Sequence, residues 1–270
     1  MKKLGFTKMV ASGNDFVIID NRHAPCAARF ALLAKKLCDR IYGIGADGLL
    51  LLEKAKGADI RMRIFNADGT EAEMCGNGAR CAALWANEKL KNKKLTIKTK
   101  AGIIAAEVSG DNVKIKLTDP KNIKTDISIK VNNRALKVNF INTGVPHAVI
   151  FVEGLNKINV AGIGREIRHH NEFKPAGTNV DFVQILNNDT IKTRTYERGV
   201  EDETLACGTG AAAAALITNY QLPITNYGKI NVYTQGGEIL KVYFERVDNG
   251  FRNVWLEGKA QVVFKGDYYV

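Results

Sequence analysis

The sequence lacks the marks of several common protein classes. Its 270 residues hold five cysteines (Cys26, Cys38, Cys75, Cys81 and Cys207) and four histidines. An odd cysteine count without a secretory leader argues against a disulfide framework. There is no Cys-x-x-Cys pair and no His-x-x-x-His, so no structural zinc or other metal is expected. No apolar run approaches the roughly 20 residues that span a bilayer, and no membrane partner is expected. The opening stretch, Met1-Lys2-Lys3-Leu4-Gly5-Phe6-Thr7-Lys8, is basic but has no apolar core after it. It does not read as a signal peptide, and a cytoplasmic location is expected.

What is present fits a soluble globular protein: 46% hydrophobic and 25% charged residues, in a chain long enough for two ordinary domains or one large one. The net charge is 39 − 28 = +11. The lysines are scattered, with a mild cluster at Lys89, Lys91, Lys93 and Lys94, and no nucleic-acid motif accompanies them. This reads as a solvated basic surface, with no nucleic-acid partner.

In chain order, Phe6–Val10 and Phe16–Asp20 read as strands around Ser12-Gly13-Asn14-Asp15. A helix is expected from about Ala27 to Asp39, with Phe30, Leu33, Ala34 and Leu37 at helical spacing. Gly43-Ile44-Gly45-Ala46-Asp47-Gly48 is glycine-rich. It lacks a Gly-Lys-[Ser/Thr] ending and leads into a strand, Leu49–Leu52, which argues against a nucleotide site. Asp59–Phe65 alternates as a strand and ends in the turn Asn66-Ala67-Asp68-Gly69. A helix from Cys75 to about Leu90 follows, then strands at Leu95–Lys100, Ile103–Val108 and Val113–Leu117. Asp119-Pro120 marks a domain boundary. In the second half, strands are expected at Ala135–Asn142, Ala148–Val152, Val180–Leu186, Thr190–Tyr196, Ile230–Thr234, Glu238–Phe244 and Asn253–Phe264. Helices are expected near Ala161–His169 and from Cys207 to Tyr220, the second closed by Leu222-Pro223. Asn14-Asp15-Phe16-Val17 finds a partner in Val180-Asp181-Phe182-Val183. Few strand–helix–strand crossovers appear, so the expected class is α+β with mixed or antiparallel sheets.

One element occurs twice. Cys75-Gly76-Asn77-Gly78-Ala79-Arg80-Cys81 is echoed by Cys207-Gly208-Thr209-Gly210-Ala211-Ala212-Ala213, one copy in each half. A cysteine in the first turn of a helix lies among backbone N–H groups that have no helical partner. Their positive potential favours a thiolate and a bound carboxylate. A thiol with an ordinary pKa of about 8.5 then becomes a usable base near neutral pH. A single such cysteine is explained as well by packing. The pair is not, because packing does not require Cys, Gly and Gly in register in both halves. Cys26, Cys38 and Cys81 lack that context and read as packing residues.

Two such cysteines suit inversion at a carbon α to a carboxylate. One thiolate removes the Cα proton and the other thiol returns one to the opposite face. The N–H groups hold the carboxylate and stabilise the enediolate, and no cofactor is required. Asn66 lies nine residues before Cys75, and Glu197 and Arg198 lie ten and nine before Cys207. A carboxylate and a guanidinium suit an α-amino group and a carboxylate. His147 is placed to exchange protons with a thiol or to orient it, although alone it reads as a loop histidine. His23, His169 and His170 read as surface or structural.

These stretches resemble the diaminopimelate epimerase family of cofactor-independent two-base racemases. The resemblance is carried by Lys8–Phe16, Gly43–Gly48, Arg63–Gly69, Glu73–Cys81, Pro146-His147, Gly177–Val180, Tyr196–Val200 and Thr204–Gly210, in order along nearly the whole chain. It implies interconversion of LL- and meso-diaminopimelate, toward lysine and peptidoglycan, by a cytoplasmic homodimer without cofactor. It implies two pseudo-symmetric halves, each a mixed or antiparallel sheet wrapped around a central helix. These would be 1–118 with Cys75 and 119–261 with Cys207, with a last strand at about 262–270 returning to the first half and the active site in the cleft between the halves. Cys75 and Cys207 would be the acid/base pair, tuned by His147 and Glu197. Asn14, Asn66, Asn179, Glu197 and Arg198 would contact the amino-acid substrate. Gly76, Asn77, Gly208 and Thr209 would hold its α-carboxylate. Two departures touch recognition. Many members carry Gly-Asn-Pro-His where this chain has Gly144-Val145-Pro146-His147, and some carry Gln where it has Gly48. A racemase of the same family acting on another amino acid, such as histidine, therefore stays open.

Two other readings stand beside this one. A thiol hydrolase pairing Cys75 or Cys207 with His147 would form an acyl-enzyme and need one cysteine. A basic binding protein with packing cysteines would need neither.

Overall fold

The computed structural model describes residues 3–23, 30–222, 227–248 and 250–269. The chain forms two compact units, Met1–Ile115 with Gly258–Val270, and Lys116–Glu257. Among the described residues there are eighteen strands and four α-helices, so the fold is β-rich, and the strand pairings are mixed. No helix among the described residues is long and apolar enough to cross a membrane.

The first unit begins with strands β1 (Lys3–Ala11) and β2 (Asn14–Asp20). Ser12 and Gly13, at φ 53° and 78°, make the two-residue turn that right-twisted hairpins favour. Helix α1 (Phe30–Cys38) buries Ala34, Leu37 and Cys38 against the sheet. The expected helix start at Ala27, and Cys26, lie outside the described residues. Strand β3 (Gly48–Glu53) runs parallel to β2 and antiparallel to β4 (Ile60–Asn66). Its Leu49, Leu50, Leu51 and Leu52 are all fully buried, as expected of a strand covered on both faces. After β5 (Glu71–Ala72) comes α2 (Gly76–Leu90), then β6 (Lys94–Thr99), β7 (Gly102–Ser109) and β8 (Asn112–Lys116). The strand β18 (Gln261–Tyr269) pairs antiparallel with β1.

In the second unit β9 (Lys121–Val131), β10 (Arg134–Asn142) and β11 (Pro146–Phe151) form an antiparallel run. Helix α3 (Val160–Arg168) is capped by Asn159, whose Oδ1 accepts from the Gly162 N–H. It leads to β12 (Asn179–Asn187), parallel to β11. Then come β13 (Thr190–Glu197), β14 (Asp202–Thr204), α4 (Gly208–Gln221), β15 (Tyr227–Tyr233), β16 (Ile239–Val247) and β17 (Gly250–Lys259).

Helices α2 and α4 explain the alanine runs. Helix α2 touches β1, β2, β3, β4, β6 and β7, and α4 touches β10, β11, β12, β13, β15 and β16. Gly210 to Asn219 are all buried. A helix enclosed on every side needs no polar face, and small residues let strands approach its backbone closely.

Three features depart from the sequence reading. Strand β9 was not expected; its Ile123, Ile127, Ile129 and Val131 alternate, but Asn122 and Asp126 at φ 55° and 56° break the register with β10. The single strand expected over Asn253–Phe264 is two, β17 and β18. The break falls at buried Ala260, whose N–H donates to Asp111 O at 2.9 Å. The partnering of Asn14–Val17 with Val180–Val183 does not match strand position. The first lies on β2, entered by a tight hairpin, and the second on β12, entered after α3. Pro223, expected to close α4, lies outside the described residues; the helix ends at Gln221 with Leu222 as its cap.

Candidate active site

In the first unit Cys75 is the N-cap of α2, with φ −144° and ψ 123°. Its Sγ accepts from the Gly78 N–H at 3.5 Å, and Asn14 Oδ1 lies 3.8 Å from it. Gly78 lies in a tight place: a Cβ there would come within 3.2 Å of Leu50 and 3.4 Å of Ile64, so those side chains would have to shift by a few tenths of an ångström. The Asn14 amide has a fixed orientation, because its Nδ2 donates to Asp47 Oδ2 at 2.6 Å. That leaves Oδ1 toward the sulfur.

Asp47 belongs to a charged cluster with Asp15, Lys8 and Arg40. Lys8 pairs with Asp15 at 2.7 Å and also donates to Gly45 O. Arg40 bridges Asp15 and Asp47 at 3.0 and 2.7 Å. Burial pushes the Asp15 carboxyl up, but hydrogen bonds from Lys8 and Arg40 outweigh it and hold the group at about 2, against an ordinary 3.8. A carboxyl with a depressed folded pKa stabilises the fold above its unfolded pKa and loses that contribution as pH falls toward the folded one. Asp15→Asn is expected to lower stability by about 1–3 kcal/mol at neutral pH, since it leaves the buried Lys8 without this counter-ion. The exposed Arg40 partner adds little. Denaturation midpoints of parent and variant should converge as pH drops from 3.8 toward 2.

The remaining first-unit candidates make the following contacts within the protein. Asn66 is exposed, and its Nδ2 donates to Thr70 Oγ1 at 3.0 Å, closing its own turn. Asn77 Oδ1 accepts from Arg80 at 2.8 Å. Arg80 is fully buried and also donates to Ser12 Oγ at 2.6 Å. Nothing in the sequence reading singled it out, although an arginine among glycines and alanines in a helix is a visible anomaly. Gly76 begins α2. Gly48 pairs with Phe16 and Asn66, and a Cβ there would fall 2.9 Å from Phe65 O. A longer side chain at 48 therefore requires the backbone to move.

In the second unit Cys207 is the N-cap of α4, 9% exposed. Its sulfur lies 3.5 Å from Thr209 Oγ1, with the Gly210 N–H turned toward it. Burial pushes the Cys207 thiol well up, and the carboxylates of Glu197 and Asp181 push it further. The Glu197 carboxyl is itself raised by burial. His147 is fully buried, with Nδ1 at 2.7 Å from Asp181 Oδ2 and Nε2 at 3.0 Å from Thr209 Oγ1. Asn179 Nδ2 donates to Pro146 O at 3.0 Å, and its Oδ1 accepts from the Arg198 N–H at 2.8 Å. The Arg198 guanidinium donates to Ala176 O at 3.1 Å. Gly208 approaches Leu256, and Val145 sits half-buried in the turn before Pro146. His147, Asn179, Arg198, Thr209 and Cys207 thus form one connected group, with Glu197 near enough to act on Cys207 through its charge.

Cys81 is fully buried within α2, and burial pushes the Cys38 thiol up to about 11, as suits packing residues. Among the described residues no three His, Cys, Asp or Glu side chains gather as a metal-binding group.

Each unit therefore offers a thiol at the mouth of a buried helix, in a different setting. Cys75 faces an amide carbonyl; Cys207 faces a hydroxyl and two carboxylates. A thiol so placed can exchange a proton with carbon while helix N–H groups hold a neighbouring anion.

Similarity to known proteins extends over nearly the whole chain. The family profile described as diaminopimelate epimerase matches residues 6–123 and 139–263. The diaminopimelate epimerase of Aquifex aeolicus is 43% identical over 273 residues, covering 97% of this chain and 96% of its own. That of Methanocella arvoryzae is 41% identical, covering 99% and 97%. Among solved structures, a phenazine biosynthesis protein of the PhzF family from Bacillus anthracis has a TM-score of 0.75 at 18% identity, covering 100% of both chains. A hydroxyproline epimerase from Agrobacterium vitis has a TM-score of 0.69 at 13% identity, covering 98% of this chain and 92% of its own. These two share the fold. By the profile and the full-length relatives, the chain belongs to the diaminopimelate epimerase family.

Proposed function

We propose that this chain interconverts LL- and meso-diaminopimelate by two-base proton transfer at Cα, without a cofactor, in lysine and peptidoglycan synthesis. The observation that carries the reading is the pair of cysteine N-caps, Cys75 on α2 and Cys207 on α4, each followed by Gly-x-Gly. One thiolate takes the Cα proton and the other thiol delivers one to the opposite face. The N–H groups at Gly76, Asn77, Gly208 and Thr209 hold the α-carboxylate and stabilise the enediolate charge. Asn14, Asn66, Asn179, Glu197 and Arg198 recognise the remaining polar groups, and His147 and Glu197 set the protonation of the thiols.

The chain is further read as an internal repeat. In support, the pairing order of β18 and β1 to β8, with α1 and α2, is the order of β9 to β17, with α3 and α4. We also read it as a cytoplasmic homodimer. Support for the dimer is that β18 exposes Val263, Phe264 and Tyr269 at 55%, 47% and 55%.

The test is incubation of the purified protein with LL-diaminopimelate in deuterated water without added cofactor. Deuterium should appear at Cα together with the meso isomer. No incorporation would overturn the substrate assignment. The same assay over other amino acids, histidine included, would then identify a different racemase.

A further inference from the structure

Asp181 stands in Val180-Asp181-Phe182-Val183, a run of β12 whose other members are at most 1% exposed. Its own carboxylate is fully buried, and packing alone does not call for a charge there. Three features hold it. His147 Nδ1 lies at 2.7 Å from Oδ2, Thr195 Oγ1 donates to Oδ1 at 2.8 Å, and the first turn of α4 lies against it. The approach is so close that a Cβ on Gly210 would fall 2.3 Å from Oδ1. The second glycine of this Cys-Gly-x-Gly element therefore makes room for the Asp181 carboxylate, where in the first unit Gly78 makes room for leucine and isoleucine.

A carboxylate only accepts, so Nδ1 of His147 carries a proton. In the neutral ring Nε2 is then an acceptor. It faces Thr209 Oγ1 at 3.0 Å and Asn179 Nδ2 at 3.5 Å. A Thr209 hydroxyl donating to Nε2 turns its lone pairs outward, and Cys207 Sγ lies 3.5 Å from that oxygen. Asp181, His147, Thr209 and Cys207 thus form one directed chain.

We propose that Asp181 is a positioning residue that fixes His147 with Nδ1 protonated, so that Nε2 takes a proton from Cys207 by way of the Thr209 hydroxyl. The step balances without a co-reactant. The S–H bond breaks as a new O–H forms on Thr209, and the original O–H breaks as N–H forms on Nε2. The products are a thiolate and an imidazolium, and the imidazolium is paired with Asp181. The charged groups facing this chain are Asp181 and Glu197, and both disfavour an unpaired thiolate at Cys207. A positive partner formed in the same step offsets them. The proposal deepens the two-base reading and rests on Cys207 acting as an acid/base group.

The test has two arms. In the first, ¹⁵N NMR of the parent protein, with His147 assigned through its absence in His147→Gln, should show the Nδ1–H tautomer. An amide at 181 donates to Nδ1, so Asp181→Asn should show Nε2–H instead. An Nε2–H ring in the parent would overturn the proposal. This arm does not depend on turnover, so it stands even if no diaminopimelate activity is found. In the second arm, Asp181→Asn should lower kcat by about 10²- to 10⁴-fold with little change in KM. Thr209→Val should lower it by a similar factor, and the double variant should lose no more than the worse single one. A folded Asp181→Asn with kcat within about threefold of the parent, or losses that multiply, would overturn the path. If Asp181→Asn fails to fold, the parent spectrum and Thr209→Val decide.

Discussion

Serine in place of either Cys75 or Cys207 is expected to lower kcat by about 10³-fold in both reaction directions, with the fold intact. A serine hydroxyl is far less acidic than a thiol, so near neutral pH it supplies almost no anion to take a proton from carbon. On the two-base proposal both directions suffer, because each would need one cysteine as base and the other as acid. Neither replacement should disturb the helices. Both cysteines are the N-caps of their helices, and a serine hydroxyl serves well in that position. Circular dichroism and melting temperature should stay near the parent values while turnover falls. The rival readings give different results. A thiol hydrolase would tolerate loss of one cysteine, and a binding protein would tolerate loss of both.

Glu197→Gln is expected to lower kcat by about 10²-fold while making the folded protein more stable at neutral pH. The sign follows from burial, which raises the Glu197 carboxyl above its ordinary 4.5. Between 4.5 and its folded value the native state holds more protons than the unfolded chain, so stability falls as pH rises through that window. Glutamine carries no such penalty. Melting curves of parent and variant should coincide below about pH 4.5 and separate above it, with the variant higher. The same charge pushes the Cys207 thiol up. Alkylation of Cys207 by iodoacetamide should therefore begin at lower pH in Glu197→Gln than in the parent. Coincident alkylation profiles would show that Glu197 does not act on Cys207.

Much of the arrangement was legible because its signals are local. Cys-Gly-x-Gly before an alanine run marks a helix that begins at a crowded place, and both copies begin buried helices. The four leucines of β3 are legible as a strand, and the fold adds that both of its faces are covered. What escaped depends on partners far away in sequence. Asp181 matters through His147, 34 residues earlier, and Arg80 through Ser12, 68 residues earlier. A single acidic residue among Val180, Phe182 and Val183 was the available clue, and it was read instead as part of a local repeat with Asn14–Val17. Strand β9 escaped because left-handed Asn122 and Asp126 interrupt its alternation. The break at Ala260 escaped because a buried alanine between two strand-forming runs carries no turn signal.

The pairing of β1 with β18 bears on how the chain is made. Lys3 to Val10 cannot acquire their β18 partners until Gln261 and the residues after it have been synthesised. Everything in the second unit, Lys116–Glu257, is contiguous and emerges before them. Domains commonly fold in the order of synthesis, but here the half begun first is completed last. Until then β1 presents an open edge to the surrounding solution, and such edges are where chains pair wrongly. A released chain truncated just before Gln261 should therefore show the second unit resistant to protease while β1 is still cleaved.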